Sequence, residues 1–355
     1  MDEAIKFLVS VSCMTYNQAS YIEDAMDGFC MQQTTFPFLC LIADDASIDG
    51  EPEVIRKYLD SNFDKIENGL STEDETDEYL RIYARHKENK NCYFCVFLLK
   101  YNHYSIGKAK TTSAAELTKS VKYVAMCEGD DYWTDPMKLQ KQVEFLEGNA
   151  EYDMCCTRFV HYYEETLNFD DRDLYSGLIG NDMDGMELKH EHFISAAIPH
   201  PCTLMYRNGT LDDNDLIKKL KYKYDIPKLW CFMRSHRAWL INEKTAVYRK
   251  HKGTLTARNV LSRSTTFYET YKDIYKYDKN PIIKNLYFRW FKSYVVQYIK
   301  YSNQYSIFHV IGVCFEFIGF RPSWVECKAF GVNFINAHKY RIKTGKNERM
   351  ECERF

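Results

Sequence analysis

The chain has 355 residues, with 47 Lys and Arg against 50 Asp and Glu and a formal net charge of -3. That balance excludes a global basic field for nucleic acid, while 45% hydrophobic residues support a sizeable core. The length suits one large α/β domain plus an accessory segment. Thirteen cysteines are scattered without disulfide-scaffold regularity. They are expected to be reduced and mostly buried in a cytoplasmic protein, with no secretory signal before the first strand.

Residues 7–13 read as a buried strand with the polar exit Met14-Thr15-Tyr16-Asn17. Helical spacing of Ile22, Ala25, Met26, Phe29 and Cys30 follows,. A second strand, residues 38–43, ends at Asp44-Asp45-Ala46-Ser47-Ile48-Asp49-Gly50, before a helix over 52–59. Residues 61–90 form a polar insertion, read as a solvated loop or helix start around Glu73-Asp74-Glu75,. A third strand spans 93–99. Cys92 and Cys95 have metal or redox spacing, but no second pair lies nearby, and two cysteines on a strand is the better reading. A Gly107-Lys108 turn and a helix over 112–119 lead to a fourth strand, 123–126. A helix runs from about Pro136 to Glu147, residues 165–192 read as irregular, and further elements are a helix over 229–240 and a strand over 246–248. The βαβ alternation implies a parallel sheet with helices on its faces, whose ligand binds outside the carboxyl ends of the strands.

One such end is the acidic stretch Cys127-Glu128-Gly129-Asp130-Asp131-Tyr132-Trp133. Three carboxylates within four residues repel one another unless they are solvated or a divalent cation neutralises them. A solvated acidic turn is the plain alternative. The sheet would gather Thr15-Tyr16-Asn17, Asp44-Asp45 and Glu128-Asp131 at one edge.

With these segments in order, the chain resembles an inverting family 2 glycosyltransferase of the GT-A fold, of the kind that builds bacterial surface polysaccharides. The resemblance rests on the strand exit ending Met14-Thr15-Tyr16-Asn17, on Asp44-Asp45-Ala46-Ser47-Ile48-Asp49, on Glu128 through Pro136 with Lys138-Leu139-Gln140-Lys141-Gln142, and on Asp225-Ile226-Pro227 followed by Ala246-Val247-Tyr248-Arg249-Lys250-His251. It covers roughly residues 5–255 and implies a GT-A catalytic domain over 1–258 with a helical extension over 259–355.

The resemblance also implies roles. Thr15, Tyr16, Asn17 and Ser47 border the nucleotide, and one of Asp44 or Asp45 accepts the imide proton of its base. Asp130 is the first choice for a Mn2+ or Mg2+ ion, and Asp131 either binds the metal or orients a ligand. Glu128 stands where aspartate is also common, and is left between metal, ribose and a bound water. Gly129 lies among them at the nucleotide. His251 completes the metal site or touches the diphosphate. Arg249 and Lys108 meet phosphate oxygens or are surface cations. Trp133 floors the sugar or acceptor site or packs in the core. Asp225, close to a helix N-terminus, is the general base that takes the acceptor hydroxyl's proton. The donor is a nucleotide sugar, UDP-linked by preference, and the acceptor a glycan or lipid-linked glycan. Two other readings share the fold: a non-catalytic nucleotide-sugar or glycan binding protein, and a nucleotidyltransferase. The latter wants a Gly- and Lys-rich phosphate loop where Met14-Thr15-Tyr16-Asn17-Gln18 stands.

Residues 281–346 contain ten Lys and Arg but only two acids, Glu316 and Glu326. Aromatics interleave them, as in Tyr287-Phe288-Arg289-Trp290-Phe291-Lys292. The apolar run over 307–320 is shorter than the ~20 residues a membrane span needs. Amphipathic helices lying on an anionic bilayer at the inner face of the cell membrane fit this composition, as does a helical appendage with solvated lysines. No recognition motif supports nucleic acid.

Overall fold

Apolar strands alternating with amphipathic helices place four parallel strands at the centre of a larger sheet. The computed structural model describes residues 5–65, 73–108, 115–195, 199–211, 214–253 and 259–344. Two units are distinguished. One comprises 1–214 and 229–249, the other 215–228 and 250–355.

In the first unit, β1 (Val9–Thr15), α1 (Ile22–Cys30), β2 (Phe38–Asp44) and α2 (Glu51–Asn62) follow in order. All seven residues of β2 are buried, and so are all eight of β6 (Cys92–Leu99). Strands covered on both faces read as continuous apolar runs. With β7 (Tyr123–Met126) they give the parallel order β7-β1-β2-β6. β1 is therefore flanked by a strand on each side that leaves in the opposite connective direction. The crevice outside its carboxyl end is the topological switch point of the sheet.

Outside this centre the pairing is antiparallel, so the sheet is mixed rather than wholly parallel. β3 (Phe63–Lys65), β4 (Glu73–Glu75) and β5 (Tyr79–His86) build one flank. They lie where the sequence predicts a solvated loop. Glu73 and Asp74 form cross-strand pairs with Ile82 and Arg81, a half-exposed edge in which acidic residues are tolerated. On the other flank stand β9 (Met154–Tyr163), β12 (Leu204–Arg207) and β13 (Ala238–Lys250), with β8 (Tyr132–Trp133), β10 (Asn168–Asp170) and β11 (Gly185–Leu188) attached. The last two form in the segment expected to be irregular. The predicted 229–240 helix is α6 (Asp225–Ser235), which starts earlier and gives way to β13. α3 (Ala115–Thr118) is the described part of the helix expected over 112–119. α4 (Lys138–Gly148) buries Leu139, Val143 and Leu146 as its spacing predicts.

α1 meets β8 at Gly28, where a Cβ would lie 2.8 Å from the backbone nitrogen of Trp133. Beside it, Phe29 packs edge-on against the Trp133 ring at 5.0 Å. Only a glycine permits this approach.

The second unit is helical. α5 (Asp215–Lys219) and the first residues of α6 belong to it, with α7 (Val260–Tyr277), α8 (Pro281–Tyr301), α9 (Ile307–Gly319) and α10 (Trp324–Thr344). Asn259 and Asn280 cap α7 and α8 by accepting backbone N–H bonds, and Pro281 opens α8,. Tyr268 stacks on Tyr294 at 4.7 Å and Phe317 on Phe330 at 4.7 Å.

Replacing Gly28 by alanine is expected to cost about 1–3 kcal/mol of stability through overpacking. Urea unfolding checks this: the midpoint falls with an unchanged slope, and an unmoved midpoint contradicts the close approach.

Candidate active site

The exits of β1 and β2 are joined by side chains that turn back onto the backbone. Thr15 and Asp44 close the β1–β2 register side by side. Asn17 and Ala46 adopt left-handed backbone, with φ of 55° and 61°, which re-aims both loops. Asn17 N donates to Ser47 Oγ at 2.8 Å, and Ile48 N donates to Asn17 Oδ1 at 2.9 Å. Beneath them lies Glu51, wholly buried at the start of α2. Its carboxylate accepts from Gln18 N at 2.9 Å, from Ser47 Oγ at 2.8 Å and from the Thr15 hydroxyl. Glu51 was not singled out in the sequence. Its one signal was an acidic residue at the predicted start of a helix, which ordinarily marks only dipole compensation.

Asp44 and Asp45 are both fully buried. Asp45 accepts from His103 N at 2.7 Å and Tyr104 N at 3.2 Å and so anchors the turn after β6. Asp44 accepts from Ser47 N at 3.2 Å and faces the Ser47 hydroxyl. That hydroxyl has one proton and two carboxyl neighbours, Asp44 and Glu51. Burial pushes the Asp44 carboxyl up to about 6 and raises Glu51, with Ser47 partly offsetting both shifts. Carboxyls raised by burial in this way suit a site held ready for a hydrogen-bonding or cationic ligand.

The exit of β7 lies alongside. Cys127 N donates to Ser12 O at 3.1 Å and Gly129 N to Met14 O at 3.3 Å, so pairing with β1 continues past the strand. A Cβ on Gly129 would fall 2.5 Å from Thr15 Oγ1 and 2.6 Å from Gln18 Oε1. The glycine in the acidic motif therefore lets the two strand exits touch. Glu128 is exposed, while Asp130 and Asp131 are buried.

Asp131 is 1% exposed. Its Oδ1 accepts from Arg249 N at 3.0 Å, and its Oδ2 has no hydrogen-bond partner. His200 Nδ1 stands 3.8 Å from that oxygen and 3.2 Å from Cys202 Sγ. One ligand atom from each of Asp131, His200 and Cys202 lies within 4.8 Å of the others. Burial, with Asp130 and Glu128 close by, holds the Asp131 carboxyl well above the ordinary carboxylate range. Burial and Asp131 likewise raise the Cys202 thiol. A buried carboxylate oxygen facing an imidazole nitrogen is a donor set that a divalent cation fits. His200 and Cys202 were missed in the sequence, although Pro199-His200-Pro201-Cys202 places two ligand types two residues apart.

Arg249 closes the acidic loop from β13. Its Nε donates to Asp130 O at 3.0 Å, its Nη1 to Glu164 at 2.7 Å and its Nη2 to Asp24. The guanidinium also lies over Tyr21, Tyr132 and Tyr162 at 4.8, 5.2 and 5.4 Å. It thus meets protein carboxylates and rings at the place where a phosphate contact was expected. Lys108 pairs with Glu78 and lies 5.8 Å from the Tyr101 ring. Trp133 is in the core. Its Nε1 donates to Cys202 O at 2.8 Å, and buried Lys138, whose burial lowers it to about 8, sits 4.9 Å from its ring. In the second unit, exposed Asp225 is the first residue of α6, and buried His251 accepts a 3.2 Å bond from Gly253 N.

No family model matches the chain. Over 157 residues it is 33% identical to uncharacterized proteins of Mycobacterium tuberculosis and Mycobacterium bovis, covering 44% of this chain and 36% of theirs. The chain thus spans about a third of the length of these relatives. Among solved structures, S. aureus TarS 1–349 in complex with UDP-GlcNAc superposes with a TM-score of 0.52 at 14% identity, over 93% of this chain and 89% of that one. A second crystal structure of the same TarS segment gives 0.50 at 15% identity, over 96% and 92%. The fold is GT-A. The switch point of its mixed sheet carries the acidic residues described above, and C-terminal helices follow.

The raised carboxyl of Asp44 makes a signed statement about stability. Between its ordinary 3.8 and about 6 the folded state holds a proton that the unfolded state has released. Folding therefore takes up a proton in that window, and stability falls as pH rises through it, by at most about 3 kcal/mol. Asp44→Asn is expected to flatten this dependence and to melt higher than wild type at pH 7.5. Equal pH slopes in the two proteins between pH 4 and 6 would contradict it.

Proposed function

We propose that the protein is a metal-assisted, inverting glycosyltransferase. It moves a sugar from a nucleotide-diphosphate donor, UDP-linked by preference, to a glycan or lipid-linked glycan acceptor. The observation that carries this reading is the buried Asp131 carboxylate, whose Oδ2 faces His200 and Cys202, beside Asp130 at the switch point of a GT-A sheet. The likeness to TarS crystallised with UDP-GlcNAc supports the fold and suggests the donor class.

In this reading the nucleotide lies over the exits of β1 and β2. Thr15, Tyr16, Asn17 and Ser47 border it, and Asp44 or Asp45 accepts the imide proton of the base. Asp44 accepts more strongly when ionised, so binding through it strengthens as pH rises through about 6. Asp130 and Asp131 would hold the cation, with His200 of the same unit as the imidazole. Glu128 and Gly129 face the diphosphate. A bound divalent cation supplies the Lewis acid that neutralises the departing diphosphate. Arg249, tied to Asp24 and Glu164, positions the acidic loop by holding the Asp130 carbonyl and the Asp131 carboxylate.

Asp225 takes the proton of the acceptor hydroxyl while that oxygen forms its bond to the anomeric carbon. The bond from that carbon to the phosphate oxygen breaks, and the nucleoside diphosphate leaves. Attack from the face opposite the leaving group inverts the centre. The described cysteines are all free thiols, in keeping with a cytoplasmic setting. No helix among the described residues is long and apolar enough to cross a membrane.

Asp225→Asn is expected to lower turnover by roughly 10²–10⁴-fold while calorimetric affinity for the nucleotide sugar stays within a factor of a few. Wild-type turnover in this variant would remove Asp225 as the base. Asp130→Ala is expected to abolish the metal-dependent part of donor binding, and undiminished binding would displace Asp130 from the metal.

A further inference from the structure

The described apolar surface of the second unit is unevenly distributed, and α8 is not where it lies. Ile283, Leu286, Phe288, Phe291 and Val295 of α8 are buried, and Lys292 lies over the Phe288 ring at 4.2 Å. Of the run at 287–292, Tyr287, Phe288 and Phe291 are internal to the helical packing, while Arg289 is exposed and Trp290 and Lys292 are half-buried. Apart from Val260 and Tyr277 at the two ends of α7, the exposed large apolar residues of the described second unit belong to α9 and α10.

On α9 these are Ile307, Phe308, Ile311 and Phe315, with Phe308 82% exposed. At 3.6 residues per turn they fall within an arc of roughly 100°. Val310, Phe317 and Phe320 turn the other way, with Phe320 against Tyr287, Phe288 and Phe291 of α8. On α10 the exposed set is Trp324 (81%), Val325, Val332, Ile335 and Ile342 (82%). It too occupies one arc of roughly 100°, opposite buried Phe330 and Ala337. Exposed Lys328, Lys339 and Lys343 fall within or at the edge of that same arc. Lysines usually occupy the polar face of a solvated helix. Here they alternate with large apolar side chains on one face, and the α10 acid Glu326 lies off it, bonded to Ser323 at the helix start.

We infer that the outer faces of α9 and α10 form a docking surface for an anionic lipid bilayer. Charge complementarity selects this occupant. A lysine stem buries its methylenes among apolar chains while its ammonium reaches a lipid phosphate, and an exposed tryptophan sits well at the level of the headgroups. A second copy of the chain would instead have to bring these like charges together. The helices lie in the interface without spanning it. This surface narrows the basic region read from the sequence, 281–346, to residues 307–343, and it uses no residue of the chemistry proposed above.

The test is sedimentation of the full chain with vesicles of phosphatidylcholine, alone or with an equal admixture of phosphatidylglycerol. Binding to the anionic vesicles is expected to be roughly 100-fold tighter and to weaken with salt. Lys328→Glu with Lys339→Glu removes that preference, and Phe308→Ser with Phe315→Ser weakens binding to both vesicles. These positions are exposed, so melting temperatures should hold, and donor binding by the first unit should not change. The inference is overturned if the wild type sediments with neither vesicle. It is also overturned if the protein is a dimer that Trp324→Ser converts to a monomer, since a second copy would then cover the face.

Discussion

Negative charge stripped of water at the carboxyl edge of the parallel strands is the constraint on which the structure depends. Asp44, Asp45, Glu51, Asp130 and Asp131 are all buried in the first unit, within or just beyond β2 and β7. Buried carboxylates are costly unless paired, and the protein supplies few cations for them. Backbone N–H groups, two hydroxyls and one arginine carry most of the compensation. Where compensation falls short, carboxyls move up in pKa, as Asp44, Glu51 and Asp131 do. Such a site is less stable than a neutral one would be, which is the usual cost of a centre kept ready for a charged ligand.

The local architecture follows from this constraint. Gly129 brings the β7 exit against Thr15, so the acidic loop and the β1 exit share a wall. Glu51 ties Thr15, Gln18 and Ser47 together from below. Arg249 holds the acidic loop from the opposite side while its own charge is balanced by Asp24 and Glu164. The arginine's charge is therefore shared with Asp24 and Glu164 rather than given wholly to the negative field of Asp130 and Asp131. An added divalent cation would cancel that field, which links the fold to the proposed chemistry.

The central strands were legible because burial on both faces writes itself as an unbroken apolar run, as in residues 38–43 and 93–99. The acidic motif was legible because three carboxylates beside a glycine are unusual after a strand. Other features depend on contacts distant in sequence. β4 pairs Asp74 with Arg81, and an acidic edge strand carries no apolar alternation to betray it. β13 begins in Ala238-Trp239-Leu240, whose composition continues a helix as readily as it starts a strand. His200 and Cys202 reach Asp131 only through the fold, some seventy residues along the chain. The burial of Trp133, with its bond to the Cys202 carbonyl, equally could not be separated from an exposed platform by sequence alone. Asp225 and His251 lie at the start of α6 and just past β13, where their spacing had put them.

If the strained carboxylates at the sheet edge await a cation, the cation should stabilise the fold through them. The direct measurement is thermal unfolding of the purified chain with chelator, with Mn2+ or Mg2+, and with UDP added to each. The account predicts a rise in melting temperature with cation, a further rise with UDP only when cation is present, and loss of both in Asp131→Asn. A melting temperature indifferent to every divalent cation, or shifted equally in Asp131→Asn, would contradict it and leave the acidic cluster a costly turn with no ligand.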